Sequence, residues 1–142
     1  MLHVAKGSRP HEQGARLRSE ARTFCFMHDF RRLEVWRRAL TCAIAIERES
    51  RRFPRSDRGV VASQLRRAAL SIPANIAEGC GRNSRNETIR FLRIAAGSAA
   101  EVESHLEVAT GLGYLSTIQR ESLLGDVKAI QRMLFRLIQN LP

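Results

Sequence analysis

Arginine carries most of the chemistry this sequence can offer. Arg82, Arg85, Arg90 and Arg93 follow one another closely, with Asn83 and Ser84 among them. Ser84-Arg85-Asn86-Glu87 reads as a capping box, the serine and the glutamate each satisfying an orphan amide at the start of a helix. Free amides and the helix dipole attract phosphate at such a start, and the guanidinium fork matches phosphate oxygens. The four arginines are therefore the expected anion patch, and a nucleic-acid backbone is the expected anion. Arg31, Arg32, Arg37 and Arg38, then Arg48, Arg51, Arg52, Arg55 and Arg58, add basic residues at both ends of an earlier helix. Taken one at a time, each of these also reads as a solvated surface charge. Stacking residues are few: Trp36, Tyr114 and six Phe, expected mostly at core positions. Backbone contact is thus expected over base-specific reading.

A second constellation lies on the next helix upstream. Gln64, Arg67, Ser71, Asn75 and Glu78 fall in one polar stripe. Glu101, Glu103 and Glu107 are natural partners for Arg66 and Arg67. The expectation is a structural polar network of Arg66, Arg67, Asn75, Glu78 and Glu103 that ties two helices. A ligand or catalytic pocket is the competing reading, since perturbed networks also mark sites. Cys25, Cys42 and Cys80 lie far apart with no C-x-x-C pair, and His3, His11, His28 and His105 have no metal spacing. Cys80 lies in a Gly-flanked stretch but lacks a nearby base to make it a nucleophile. The sequence thus assigns no catalytic residue, no metal ligand and no cofactor. An odd, sparse thiol count fits a reducing compartment, so a cytoplasmic location is expected.

These residues sit in a chain of 142 residues with 24 bases, 14 acids and a net charge of +10. Of the bases, 22 are Arg. That balance favours a polyanionic partner, while a GC-rich genome raises Arg usage with no such role. The length suits one domain with a real core. No apolar run approaches the roughly 20 residues of a membrane-spanning helix.

The elements that must position the arginines follow from periodicity. Residues 1–26 lack a sustained helical period and the apolar core of a secretory signal, and they read as a disordered basic tail. Residues 27–142 keep 19 bases against 12 acids, so the basic character belongs to the domain. Four helices are expected there. The first, about Phe30 to Arg52, carries Leu33, Trp36, Leu40, Ala43 and Ile44 on its main apolar face, with Val35, Ala39, Cys42 and Ile46 as a smaller stripe. The second, capped by Ser56 or Asp57, buries Val61, Leu65, Ala68, Ile72 and Ile76. Pro73 lies inside it and is expected to kink it near Ala69 to Ser71. The third runs from Ser84 to Leu112 on Ile89, Leu92, Ala96, Ala99, Val102, Leu106 and Ala109. Phe91, Ile94, Ala95 and Ser98 form another face, and Gly113 is the expected terminator. Small residues around Gly97-Ser98 suggest a close helix crossing, in the bundle or between subunits. The fourth opens on the capping box Ser116 to Gln119 and carries Leu123, Val127, Ile130, Leu134, Leu137, Ile138 and Leu141. No stretch alternates with period two. Short connections then give an all-α, antiparallel up-and-down four-helix bundle with a Pro-kinked second helix. The paired stripes on the first and third helices exceed what one bundle buries, so a homo-oligomer is expected.

QLRRAALSIPANIAEGCGRNSRNETIRFLRIAAGSAAEVESHL, Gln64 to Leu106, closely resembles the four-helix bundle family of 23S rRNA intervening-sequence proteins. LEVWRRA, Leu33 to Ala39, resembles that family's usual opening, and GLGYL, Gly111 to Leu115, its third connection. The resemblance implies a bacterial protein that assembles as a pentameric ring. A related branch, the accessory proteins of diversity-generating retroelements, works with a reverse transcriptase and nucleic acid, which makes both candidate partners. The family supplies no catalytic residue.

Two function classes stay open. The first is a non-enzymatic oligomer that binds RNA or DNA, or that serves another protein as a scaffold. The second is a small enzyme using Arg67, Asn75 and Glu78. The missing nucleophile–base pair favours the first.

Overall fold

The computed structural model describes residues 29–141, together with residues 14 and 15. The tail expected over residues 1–26 falls, apart from those two, outside the described residues, as do Cys25, His3, His11 and His28. Four helices carry the fold: α1, Glu34–Ser50; α2, Ser63–Cys80; α3, Arg85–Gly111; and α4, Thr117–Asn140. Among the described residues there is no strand.

The local chemistry explains the boundaries. A short 3-10 turn, Phe30–Arg32, precedes α1, and Leu33 between them is extended, so the expected first helix is two pieces. A π-helical turn, Arg58–Ala62, feeds directly into α2, and Asp57 makes no side-chain cap bond. The chain already follows a helical path there, so α2 starts without the expected cap. α2 continues through Pro73 to Cys80. Gly113, at φ +76°, ends α3: its N–H donates to the Thr110 carbonyl at 2.9 Å and that of Tyr114 to Ala109 at 2.8 Å. This is the paired-bond Schellman ending, which needs a left-handed residue and so favours glycine. At α4 both halves of the expected capping box form: Ser116 Oγ accepts from Gln119 N at 3.2 Å, and Gln119 Oε1 accepts from Ser116 N at 2.8 Å.

The helices pack as a ring of neighbours, α1 on α2, α2 on α3, α3 on α4 and α4 on α1. Their cross-contacts run in opposite order along each neighbouring pair. Ser71 meets Ser98 and Gly79 approaches Thr88; Glu107 pairs with Arg120 and Glu103 with Lys128; Gln119 reaches Glu49 while Asp126 reaches Arg38. Leu65, Ile72, Ile76, Leu92, Val102, Leu106, Val127, Ile130 and Leu134 are almost wholly buried in the middle. Each such side chain stabilises by about 1.5–3 kcal/mol relative to exposure.

Two helix faces differ from expectation. On α1 the smaller stripe, Val35, Ala39, Cys42 and Ile46, together with Ala43, faces the core, while Leu40 and Ile44 remain 37% and 44% exposed. The two stripes lie side by side on the cylinder, and the small residues of one allow α1 to sit close to its neighbours. On α3 the small residues Ala95, Ser98 and Ala99 are buried, whereas Gly97 faces outward, and a Cβ there would meet nothing within 4 Å. The close crossing is at Gly79 instead, where a Cβ would lie 3.1 Å from Phe91 Cβ and 3.2 Å from the Thr88 carbonyl oxygen.

Candidate nucleic-acid interface

The first turns of α3 present the arginines. Ser84 is extended, and its Oγ accepts from Glu87 N at 3.3 Å, which starts the helix. The reciprocal half of that expected capping box is replaced: the Glu87 carboxylate accepts from the Ser84 hydroxyl at 3.2 Å. From this start Arg85, Asn86, Ile89, Arg90, Arg93 and Ile94 line an open groove of about 580 Å³. Its wall contains three guanidinium groups, one amide and no carboxylate. Arg85 Nε donates to the Leu141 carbonyl oxygen at 3.3 Å, so its stem is anchored where α4 ends. The Arg90 guanidinium carbon lies 5.9 Å from the Phe91 ring centre. Arg93 is exposed and makes no ion pair among the described residues.

Arg82, expected with these three, is drawn away. It pairs with Glu78 one turn earlier on α2, and its guanidinium carbon stands 4.7 Å over the Phe91 ring. Its Nε is buried without a hydrogen-bond partner. The i, i+4 spacing of Glu78 and Arg82 is itself the sequence signal for that pair. Asn86, Ile89 and Ile94 are the groove residues that sequence reasoning missed. Asn86 and Ile94 share the outer face with the arginines once the helix start is fixed, and half-buried Ile89 forms the floor toward the core.

The expected polar network between α2 and α3 does not form as one unit. Arg66 pairs with Glu47 of α1 at 3.6 Å. Arg67 is exposed. Glu78 is held by Arg82. Glu103 turns to α4, accepting from Lys128 Nζ at 2.6 Å and Gln131 Nε2 at 3.2 Å, and these bonds lower its pKa. Glu107 likewise turns to Arg120. The α4 face carries the complementary donors, so the third-helix acids look that way. What remains between α2 and α3 is a small hydroxyl cluster: Asn75 Nδ2 donates to Ser71 Oγ at 2.9 Å, and Ser71 and Ser98 share a 2.8 Å hydrogen bond.

The buried thiols are poor nucleophiles. Burial pushes Cys42 up to about 12, aided by the nearby Asp126 charge, and burial pushes Cys80 up to about 11. Among the described residues no three His, Cys, Asp or Glu side chains are grouped to hold a metal. None of the described helices is long and apolar enough to cross a membrane. A second surface lies between α1 and α2, where Leu40, Ala43, Ile44 and Leu70 line an apolar groove of about 400 Å³ rimmed by Glu47, Arg48 and Arg51.

Residues 31–136 match the family described as 23S rRNA-intervening sequence protein. A solved structure from Bacteroides thetaiotaomicron, described as a protein with unknown function from the S23 ribosomal protein family, is similar to this chain at 30% identity. The likeness has a TM-score of 0.71 and covers 75% of this chain and 96% of that one. No curated protein matches.

Proposed function

The chain belongs to the 23S rRNA-intervening sequence protein family, and from that premise we propose that it is a non-enzymatic, homo-oligomeric bundle that holds nucleic acid by its backbone phosphates. The observation that carries this reading is the groove of Arg85, Arg90 and Arg93, whose wall contains no carboxylate. Three guanidinium groups without an opposing charge form a local positive field, and each offers a fork of donors to phosphate. The basic balance of residues 27–142 supports it, since the field of the whole domain steers a polyanion toward the groove. The raised thiol pKa values support a binding role over nucleophilic catalysis. RNA or DNA is the partner class, in the cytoplasm, and a reverse transcriptase is the protein partner suggested by the related branch.

Assembly is the second part of the reading. Leu40, Ile44 and Leu70 form an outward apolar surface on α1 and α2, of a kind that marks subunit contacts. The family resemblance implies five copies. Each added copy repeats the arginine groove, so weak contacts combine into avidity.

Fluorescence anisotropy with mixed-sequence RNA and DNA tests the proposal. Binding should vary little with sequence and weaken steeply as salt rises. Arg93→Ala should reduce the salt slope by about one. Arg82→Ala should leave the slope unchanged, because Glu78 already holds that charge. No binding at about 50 mM salt, where screening is still modest, overturns the reading.

A further inference from the structure

Among the described residues, Phe135 is the aromatic that the bundle leaves outside. It is 65% exposed, on a helix whose Leu123, Val127, Ile130 and Leu134 are buried. Leaving a ring in water forgoes the stabilisation that burial gives. Its place is set by two ties between α3 and α4. Lys128 and Gln131 both bond to Glu103, so they mark the flank of α4 that adjoins α3. Phe135 follows Gln131 by one turn and Lys128 by two, which puts it on that same flank. The second tie joins Arg85 to the Leu141 carbonyl. Midway between the two ties, Phe135 on α4 is level with Arg93 and Ile94 on α3. By that register the ring falls on the α3 side of α4, at the level of the far end of the arginine groove. Arg132, nearly one turn before it on α4, is exposed and makes no ion pair among the described residues.

We infer that the nucleic acid held by this groove is an unpaired strand, whose bases stack on Phe135 while Arg85, Arg90 and Arg93 hold its phosphates. The inference rests on the phosphate-binding reading above and names its substrate class. A lone exposed ring beside a cationic track is the arrangement that takes single strands, because every base has a face to stack. A duplex keeps its base faces covered by its own stacking and offers the ring nothing but its ends. Phosphate contacts alone favour the duplex, whose charge density is higher, so a preference for single strands has to come from the bases.

The test compares short mixed-sequence RNA and DNA single strands with blunt duplexes of the same length at one salt concentration. The wild-type chain should prefer the single strands by about tenfold or more, as expected from stacking one base. Phe135→Ala should lose that preference and leave duplex binding unchanged. Phe135→Trp should keep it, with indole fluorescence quenched by the strand but not by the duplex. RNA and DNA arms that both show the preference support an unpaired strand of either sugar, and a preference in one arm alone supports that sugar. Equal affinity for single strand and duplex, with Phe135→Ala silent, overturns the inference while leaving phosphate binding standing. A change of oligomer size in Phe135→Ala without a change in strand binding also overturns it, because the ring then belongs to a subunit contact. If the wild-type chain binds neither form, the phosphate reading itself fails.

Discussion

Gly79 and Gly97 show how differently two helical glycines can act. A Cβ at Gly79 would press on Phe91 and on the Thr88 carbonyl at little over 3 Å, while a Cβ at Gly97 meets open space. Gly79→Ala should therefore cost about 1–3 kcal/mol through overpacking. Gly97→Ala should gain up to about 1 kcal/mol through helix propensity. Urea unfolding of the two variants checks both signs, and loss of assembly in Gly97→Ala would mark that face as a subunit contact. Cys42 gives a pH dependence. Its thiol titrates near 9.0 in an open chain and near 12 in the fold, chiefly through burial. Above pH 9 the unfolded chain releases a proton that the folded chain keeps. The contribution is thus complete below pH about 9 and falls by about 1.4 kcal/mol per pH unit as pH rises toward the folded value. Unfolding midpoints from pH 8 to 10.5 should drop faster for the wild type than for Cys42→Ala. The arginine groove was legible at this scale because its members are neighbours in sequence on one helix face. Arg82 was expected in the groove, although Glu78 one turn before it carries the signal for its departure. Phe135 was not, because its relation to Arg93 exists only after α4 has docked on α3.

A single helix is legible in the sequence where one apolar stripe dominates. The buried stripes of α2, α3 and α4 and the box at Ser116 follow from period and capping chemistry. On α1 the two stripes share the core: Leu33 and Ala43 of the expected face are buried beside the smaller stripe. Periodicity reports that two adjacent stripes exist, and packing decides between them. The ring of neighbours took the stripe with Ala39, Cys42 and Ile46, and left Leu40 and Ile44 outward. Pro73 is an element-scale test. It is buried within an unbroken α2, and it deprives the Ala69 carbonyl of its usual helical donor. Pro73→Ala restores that donor. The variant should stay helical by circular dichroism, change the course of α2, and lose assembly as Leu70 is redirected. An unchanged oligomer with an unchanged helix would make Pro73 incidental.

For the molecule as a whole, the outward stripe predicts association. Light scattering at micromolar concentration should give several times 16.0 kDa. Leu40→Glu with Ile44→Glu should return a monomer whose helicity is intact, since both positions are already part-exposed in the single bundle. A monomer in the wild type would remove the oligomer. The bundle topology was legible because three short connections leave few ways to join four helices. The ionic ties were not, because the choice between Arg66 and Lys128 for Glu103 depends on which helix lies beside α3. The hydroxyl pair of Ser71 and Ser98 has a kinetic consequence. α2 and α3 are joined by a connection of four residues, 81–84, so their contacts close a small loop and can form early. A hairpin closed one turn out of step would part Ser71 from Ser98 and Thr88 from the Gly79 carbonyl. The slipped alignment is costly, since the Ser71 hydroxyl keeps Asn75 while the buried Ser98 hydroxyl loses its partner. The pair thus favours the in-register hairpin over its slipped alternatives.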